Sequence, residues 1–284
     1  MVPSVLAPRR RRLASLLLAA VAVVAIVAPG AATATATPTA PTVDEATLSG
    51  LETAMVAALN ADRTSHGLVP VRVDPRLMAI ARARSDDMVA NDYFSHTQPD
   101  GRNVFDILTA DHITWYGAGE IIAWNNYPMD STVAAANGQW LNSPGHYAIL
   151  MSSDDNYVGV GVAIDPATGR KVWTAVYLKG PDRTAALATV YTPSVRAGTT
   201  SRTRKVHLSW TGHDVRLQVL TSGLRSYGLQ RRVDGGSWTT VYSSTTLRTA
   251  TVNVALGHLY QFRIVARDKA GNHGTWVVKT VDLR

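Results

Sequence analysis

The chain contains no cysteine among its 284 residues. This absence excludes disulfide bonds, thiolate nucleophiles, cysteine-ligated zinc and iron–sulfur clusters. The sequence also lacks a Gly-x-Ser-x-Gly elbow and a His-Glu-x-x-His helix, which are signatures of α/β-hydrolases and zinc peptidases. The fold is therefore held by its core alone, without disulfide cross-links, and any active site must be built from other residue types.

Long apolar runs are scarce, and the longest stands near the N-terminus. Arg9–Arg12 precede an uncharged run from Leu13 to Val27, which is shorter than the roughly 20 residues of a membrane span. Pro29-Gly30 and the small residues 32–36 follow. This order predicts a secretory signal peptide over residues 1–36. An uncleaved N-terminal anchor is the alternative, and either general secretion or the twin-arginine route is open.

Because no second long apolar run follows, we expect no transmembrane segment after signal removal and a secreted, extracellular or cell-wall-associated protein.

The two halves of the chain differ in charge. Residues 44–180 hold 9 Lys+Arg against 16 Asp+Glu, whereas residues 181–284 hold 15 against 5. Opposite charge predicts two domains with different partners. We place a linker at 181–203, because it is rich in Pro, Thr, Ala and Arg, and a second domain at 204–284.

Hydrophobic spacing predicts a helical first part of the 44–180 domain. Five helices are expected. The first covers residues 45–65, the second begins at Asp74-Pro75, the third lies near Val104, the fourth ends at about Leu141, and the fifth begins at Pro144. The period then changes, and residues 157–164 and 172–178 are predicted to form an antiparallel hairpin around the turn 165–169. Helices first and a hairpin last favour an α+β fold with a small antiparallel sheet covered by helices.

Three polar and glycine-containing segments of this domain each hold one group able to ligate a metal or move a proton. These groups are His96, Glu120 and His146. Residues so far apart in the chain but alike in chemistry predict a site that the fold brings together. Ser95 and Ser143 lie near the histidines in sequence, but sequence proximity does not establish a nucleophile.

The motifs around these groups are similar to those of a known family. In chain order they are Leu59-Asn60-Ala61-Asp62-Arg63, Asp74-Pro75-Arg76-Leu77, Tyr93-Phe94-Ser95-His96, Pro99-Asp100-Gly101, Gly119-Glu120, Trp140-Leu141-Asn142-Ser143-Pro144-Gly145-His146 and Gly159-Val160-Gly161. Together they resemble the bacterial branch of the CAP superfamily, which includes cysteine-rich secretory, antigen-five and pathogenesis-related proteins. The likeness covers about residues 50–180 and implies a three-layer α–β–α sandwich.

The resemblance also implies a ligand-binding cleft formed by His96, Glu120, Ser143 and His146. Eukaryotic members place two histidines and two glutamates there, and some bind a divalent cation. His96 and His146 match the histidines and Glu120 matches one glutamate, but Ser143 stands where the second glutamate would be. The implied metal ligands are His96, Glu120 and His146, and the implied cofactor is a divalent cation such as zinc. A purely structural polar cluster and a catalytic site are the alternatives.

Four aromatic residues and a methionine surround Glu120 in sequence and raise the question of an apolar groove. The residues concerned are Trp115, Tyr116, Trp124, Tyr127 and Met129. They could line a groove for a lipid or sterol, as some family members are thought to do. The alternative is that they fill the core or cap a loop.

The second domain alternates in a way typical of strands. Seven short strands, one of them near Leu217–Leu220, predict a two-sheet sandwich. The Leu208-Ser209-Trp210 segment, the strand around Phe262 and the turn at 268–272 resemble a bacterial fibronectin type III domain. Tyr260, Phe262, Ile264 and Ala266 are predicted to face the core.

Arg263 and Arg267 are predicted to point outward on the strand around Phe262, and together with Arg231 and Arg232 they could form a basic face. Such a basic face could bind an anionic cell-wall polymer or anionic lipid, or could be a solvated surface. Nucleic acid is not expected, because the compartment is wrong and no base-stacking motif occurs.

Three functions remain open. The first is non-enzymatic binding at the cell surface or in the medium. The bound molecule would be a lipid, another surface protein or a further ligand, and its binding would depend on a cation. The second is a secreted metal-assisted hydrolase or peptidase that uses His96, Glu120 and His146. The third is adhesion to the cell wall through the basic sandwich.

Overall fold

A computed structural model describes residues 44–284, so the predicted signal peptide lies outside the described residues. Within this part of the chain, helices and strands are interspersed up to residue 179 and strands follow to residue 282. The prediction of a mixed helix-and-strand region followed by a region of strands is confirmed. No helix from residue 44 onward has the length and apolarity to cross a membrane.

The helices agree with the predicted positions. They are α1 (Glu45–Ser65), α2 (Pro75–Ala90), α3 (Val104–Ala110), α4 (Thr132–Leu141) and α5 (Pro144–Leu150). Asp44 caps α1 by accepting a hydrogen bond from the Thr47 amide, and Asp74 caps α2 in the same way through the Arg76 amide.

One sheet of four strands lies between these helices. Its strands are β1 (Arg72–Val73), β2 (Gly117–Asn125), β3 (Tyr157–Ile164) and β4 (Lys171–Lys179), in the order β1-β3-β4-β2. The predicted hairpin is β3 and β4, and they pair antiparallel, as do β2 and β4. Strand β2, which carries Glu120, was not among the predicted strands.

Helices pack on both faces of this sheet. On one face, α1, α4 and α5 contribute Met55, Leu59, Trp140 and Leu150 to a cluster with the sheet. On the other face, side chains of α2 and α3 form a second cluster that includes Leu77 and Leu108. The sheet is thus covered on both sides, which explains the nearly continuous burial along β3 and β4.

Two glycines of β3 set the distance between the sheet and α2. A methyl group added to Gly159 would lie 2.0 Å from the Leu77 carbonyl carbon, and one added to Gly161 would lie 2.2 Å from the Arg82 amide nitrogen. The backbone of α2 therefore lies directly on β3. The Ser85 hydroxyl, on the same helix, donates a hydrogen bond to the Gly161 carbonyl.

The remaining strands form two further sheets. They are β5 (Leu187–Val190), β6 (Ser194–Ala197), β7 (Thr203–His213), β8 (Leu224–Val233), β9 (Thr239–Thr245), β10 (Thr249–Ala255), β11 (Leu259–Asp268) and β12 (Val277–Asp282). One sheet has the order β10-β7-β5, with β6 also paired to β7, and the other has the order β12-β11-β8-β9. Side chains from both sheets share one core cluster, which includes Trp210 and the four β11 residues predicted to face inward.

Two details differ from the sequence expectation. Strands β5 and β6 lie within residues 181–203, where a linker was predicted, and both pair with β7. No strand forms at Leu217–Leu220. Leu217 is instead 2% exposed and packs into the α2 cluster of the first half of the chain. The alternation of apolar and polar residues from Val215 to Val219 looks like a strand, although here Leu217 makes a contact with another element.

Candidate functional site

The fold brings His96, Glu120 and His146 together from three different elements. His96 lies in the loop after α2, Glu120 lies on β2, and His146 lies on α5. The His96 Nδ1 atom is 2.7 Å from Glu120 Oε2. The two imidazole rings are 6.5 Å apart between centroids, with a tilt of 59°. Groups 24 to 50 positions apart in sequence thus lie near one another, although among residues 44–284 they do not form a set of three ligand atoms within 4.8 Å of each other.

Glu120 is buried and ion-paired with a residue that the sequence argument did not assign to the site. The Arg84 guanidinium donates from Nε to Glu120 Oε1 at 2.9 Å, and both side chains are nearly inaccessible, at 1% and 3% exposure. Burial lowers the pKa of Arg84, but the hydrogen bond and negative charge of Glu120 outweigh that effect and raise it overall. The pair is therefore a buried ion pair in which each charge depends on the other.

Arg84 also holds the loop that carries His96. Its Nη1 donates to the Tyr93 hydroxyl and its Nη2 donates to the Ser95 carbonyl, each at 2.8 Å. Tyr93 in turn donates to the Asp87 carboxylate. Burial first, and then this bond to Asp87, raise the pKa of Tyr93 to about 12, so it remains a neutral donor. One guanidinium thus fixes both Glu120 and the backbone next to His96.

This network determines the hydrogen positions on His96. Because the Glu120 carboxylate only accepts hydrogen bonds, Nδ1 of His96 carries the proton in their contact. The other ring nitrogen, Nε2, is left to accept a proton or to ligate a metal. The His96 side chain is 53% exposed, so that nitrogen is within reach of solvent or a ligand.

His146 adds a second imidazole with a different environment. Partial burial, and then the nearby charge of His96, lower its pKa. At neutral pH it is therefore uncharged, which is the state in which an imidazole binds a metal.

Ser143 lies one helical turn before His146, at the N-cap of α5, and its side chain does not cap that helix. It does not replace the carboxylate that the resemblance would place there.

A pocket of about 220 Å³ adjoins His96 and Glu120. Apart from Asn103, its other lining residues are apolar or lack a polar side chain: Val104, Phe105, Ala118, Gly119 and Ile149. None of the five residues predicted to form an apolar groove lines it. Trp115 instead contacts Phe105, with ring centroids 5.9 Å apart and a tilt of 35°, while Tyr116, Trp124 and Tyr127 are exposed.

Arg84 is the residue of this site that sequence reasoning missed. Its position was visible, because it falls on the apolar stripe of α2 with Leu77, Ile80, Ala81 and Met88. A charged residue on a buried helix face indicates a buried partner. The sequence could not show which of the acidic residues that partner is, because Glu120 is 36 positions away.

Comparison with known proteins finds a family match within the helix-and-strand region of the chain. Residues 56–177 match the family model of the cysteine-rich secretory protein family, CAP. The uncharacterized protein YkwD of Bacillus subtilis strain 168 is 31% identical over 131 residues, which is 46% of this chain and 48% of YkwD. The uncharacterized membrane protein YlbC of the same strain is 38% identical over 120 residues, which is 42% of this chain and 32% of YlbC. The chain therefore spans half or less of each of these relatives.

A crystal structure of an extracellular protein containing a SCP domain, from Bacillus anthracis strain Ames, is 30% identical to this chain, with a TM-score of 0.41. The match covers 46% of this chain and 41% of the Bacillus anthracis chain. The family model supports a CAP-family domain in residues 56–177, as the motifs indicated. The likeness of the C-terminal sheets to fibronectin type III remains a prediction.

Proposed function

We propose that the CAP-type domain is a non-enzymatic binding module of a secreted protein, whose cleft binds a ligand with the help of a divalent transition-metal ion. The observation that carries this proposal is the contact between His96 and buried Glu120, beside a second imidazole and at the edge of an apolar pocket. Binding is favoured over catalysis because the cleft offers oriented donors and an apolar surface.

Two of the three predicted ligands, His96 and His146, suit such an ion, and Glu120 does not. His96 Nε2 and the uncharged His146 ring are two nitrogen ligands of the kind that zinc, copper and nickel prefer. Glu120 does not fit as a third direct ligand, because Arg84 and His96 already engage its oxygens. Its role is to hold the ring of His96, as carboxylates behind metal-binding histidines do. Two imidazoles without a carboxylate ligand disfavour calcium and magnesium.

An ion held by His96 and His146 would keep open positions for an oxygen of the ligand. The neighbouring pocket, with Phe105, Val104 and Ile149, would receive an apolar part of the same molecule. The ligand class that suits both is an amphiphile with an anionic or carbonyl head.

Calorimetric titration with zinc chloride tests the metal step. We expect one site per chain, with affinity reduced at least about tenfold in His96→Ala and His146→Ala, and reduced less in Glu120→Gln, which keeps a hydrogen-bond acceptor. His207→Ala, which changes a histidine on β7, is the matched control. Unchanged zinc affinity in His146→Ala, or no zinc binding by the wild type, would refute the proposal.

A second candidate function is hydrolysis assisted by the ion. The contact that favours it is also the His96–Glu120 pair, because an imidazole oriented by a carboxylate would help to hold the ion, and the ion would supply the activation of a water molecule. Zinc-loaded protein should then cleave peptide or ester substrates, and this turnover should disappear in His96→Ala. Tight zinc binding without turnover on a broad substrate panel would support the binding function instead.

A further inference from the structure

The outer face of the β12-β11-β8-β9 sheet carries arginines stacked on tryptophans. Arg232 lies on β8 and Arg263 on β11, while Trp238 and Trp276 directly precede the two edge strands. Side chains at these positions point away from the core, because their neighbours Tyr260, Phe262 and Ile264 fill it. We call Arg232, Trp238, Arg263 and Trp276 the arginine–tryptophan face.

The stacking is close and continuous. The guanidinium carbon of Arg263 lies 4.3 Å from the ring centroid of Trp238 and 4.5 Å from that of Trp276. The guanidinium of Arg232 lies 4.7 Å from the same Trp238 ring. Cation–π contacts at these distances hold the flat guanidinium groups in place.

Hydrogen bonds across the strands fix the same two arginines further. Gln230 lies opposite Arg263 and accepts from its Nε and Nη2 atoms at 2.8 and 2.6 Å. Gln261 lies opposite Arg232 and accepts from its Nε at 2.7 Å. Both partners are neutral amides, so the arginines are held in position without loss of their charge.

The positive charge of this face is not cancelled locally. Among residues 44–284, no carboxylate forms an ion pair with Arg232, Arg263 or the neighbouring Arg267, which donates instead to the Ser243 carbonyl. Asp282, at the end of the same sheet, pairs with Arg284. Residues 181–284 as a whole hold 15 basic against 5 acidic side chains. The face therefore attracts anions.

We propose that the arginine–tryptophan face binds a linear, phosphate-bearing polyanion. Planar guanidinium groups match phosphate oxygens in shape and charge, and groups held in place lose little entropy on binding. A row of arginines along one sheet face suits a polymer with repeated charges better than a single small anion.

Two other polyanionic partners fit less well. A membrane surface usually takes up free apolar side chains, whereas the indoles here are already stacked on guanidinium groups. Single-stranded nucleic acid needs free aromatic rings for its bases to stack on, and these rings are occupied.

Fluorescence anisotropy with labelled sodium polyphosphate tests the proposal on the secreted form of the chain. The test variant is the double substitution Arg232→Gln and Arg263→Gln. Its matched control is Arg196→Gln with Arg202→Gln, which removes the same charge from β6 and from the turn before β7. We expect the test variant to bind about tenfold more weakly and with a smaller salt dependence, and the control to change less than about threefold.

Because the arginines also stabilise their sheet, a second variant keeps the test independent of folding. Val278 lies opposite Arg263 on β12 and is 44% exposed, so Val278→Glu adds a carboxylate to the face while leaving the stack intact. It should also weaken binding by several fold, with an unchanged circular dichroism spectrum. Equal losses in the test and control double variants, full affinity in Val278→Glu, or preference for anionic vesicles or poly(dT) over polyphosphate would each overturn the proposal.

Discussion

At the scale of single residues, Arg84 connects the candidate site to the core. Its guanidinium contacts Glu120, Tyr93 and Ser95 and is 1% exposed. Removing one partner of a buried ion pair leaves the other charge without compensation, at a cost of about 3–5 kcal/mol. We predict that Arg84→Gln lowers the free energy of unfolding by an amount in that range and also weakens zinc binding, because the His96 loop loses its anchor.

Urea denaturation and zinc titration of the same variant measure both effects. Arg102→Gln is the control, because Arg102 pairs with Asp100 on the surface at 56% exposure. An exposed pair of this kind contributes at most about 1 kcal/mol. If Arg84→Gln were as stable as Arg102→Gln, the buried network could not be what positions His96.

Asp155 gives a prediction of pH dependence. Burial raises its pKa from 3.8 to about 6, although Arg63 is nearby. The charged form of Asp155 is therefore disfavoured in the folded state. This lowers the free energy of unfolding above pH 6, and the loss disappears as the pH falls from about 6 to below 4. We expect Asp155→Asn to be more stable than the wild type at pH 8 by about 1–3 kcal/mol, since one pKa unit corresponds to about 1.4 kcal/mol.

The measurement is urea denaturation of both proteins between pH 4 and pH 8. The difference in unfolding free energy between them isolates Asp155 from the other carboxyl groups, many of which have lowered pKa values. A difference that does not shrink on acidification would show that Asp155 does not titrate as described.

The residues of the candidate site could be predicted in part because their chemistry is visible locally. His96, Glu120 and His146 each stand in a short polar segment, and the motifs around them occur in a recognisable order. The role of Glu120 could not be predicted in this way. Whether a carboxylate ligates an ion or orients a histidine depends on which groups occupy its oxygens, and Arg84 reaches it only in the folded chain.

At the scale of elements, the contact between α2 and β3 places Arg84 where it can reach Glu120. Gly161 makes this contact possible, because any Cβ there would overlap the α2 backbone at 2.2 Å. We predict that Gly161→Ala lowers the free energy of unfolding by about 2 kcal/mol or more, since backbone cannot move aside as a flexible side chain can.

Gly138 on α4 provides the control, because a methyl group there would meet nothing within 4 Å. Gly138→Ala should be neutral or stabilise by up to about 1 kcal/mol, owing to the higher helix propensity of alanine. Thermal denaturation of the two variants compares them directly, and equal effects would contradict direct packing of α2 on β3.

Elements with strong local signals could be predicted, and those defined by tertiary contacts could not. The capped helices α1 and α2 and the β3–β4 hairpin lie where hydrophobic spacing indicated. Strand β2 was missed because its buried run Glu120–Ala123 is covered by helices on both sides and does not alternate. Strands β5 and β6 pair only with β7 and have mixed or exposed side chains, so the sequence looked like a linker.

At the scale of the whole molecule, the two oppositely charged regions are joined by buried contacts. The loop between β7 and β8 places Leu217 in the cluster that contains Leu77 and Leu178. The adjacent Gln218 accepts a hydrogen bond from the Val69 amide at 2.6 Å. The basic region is therefore packed against the CAP-type domain rather than tethered to it, and the two should lose structure together.

Substitution of Leu217 tests this coupling. We predict that Leu217→Ala lowers the free energy of unfolding by about 2–4 kcal/mol, because it leaves a cavity against α2 in the core of the other region. Differential scanning calorimetry should show one transition in the wild type, and in the variant that transition should move down as a whole. Leu247→Ala, at a position 56% exposed, should leave it nearly unchanged. Two separate transitions, with only one of them sensitive to Leu217→Ala, would contradict the coupling. They would mean that the two regions fold independently and that the Leu217 contact does not join them into one cooperative unit.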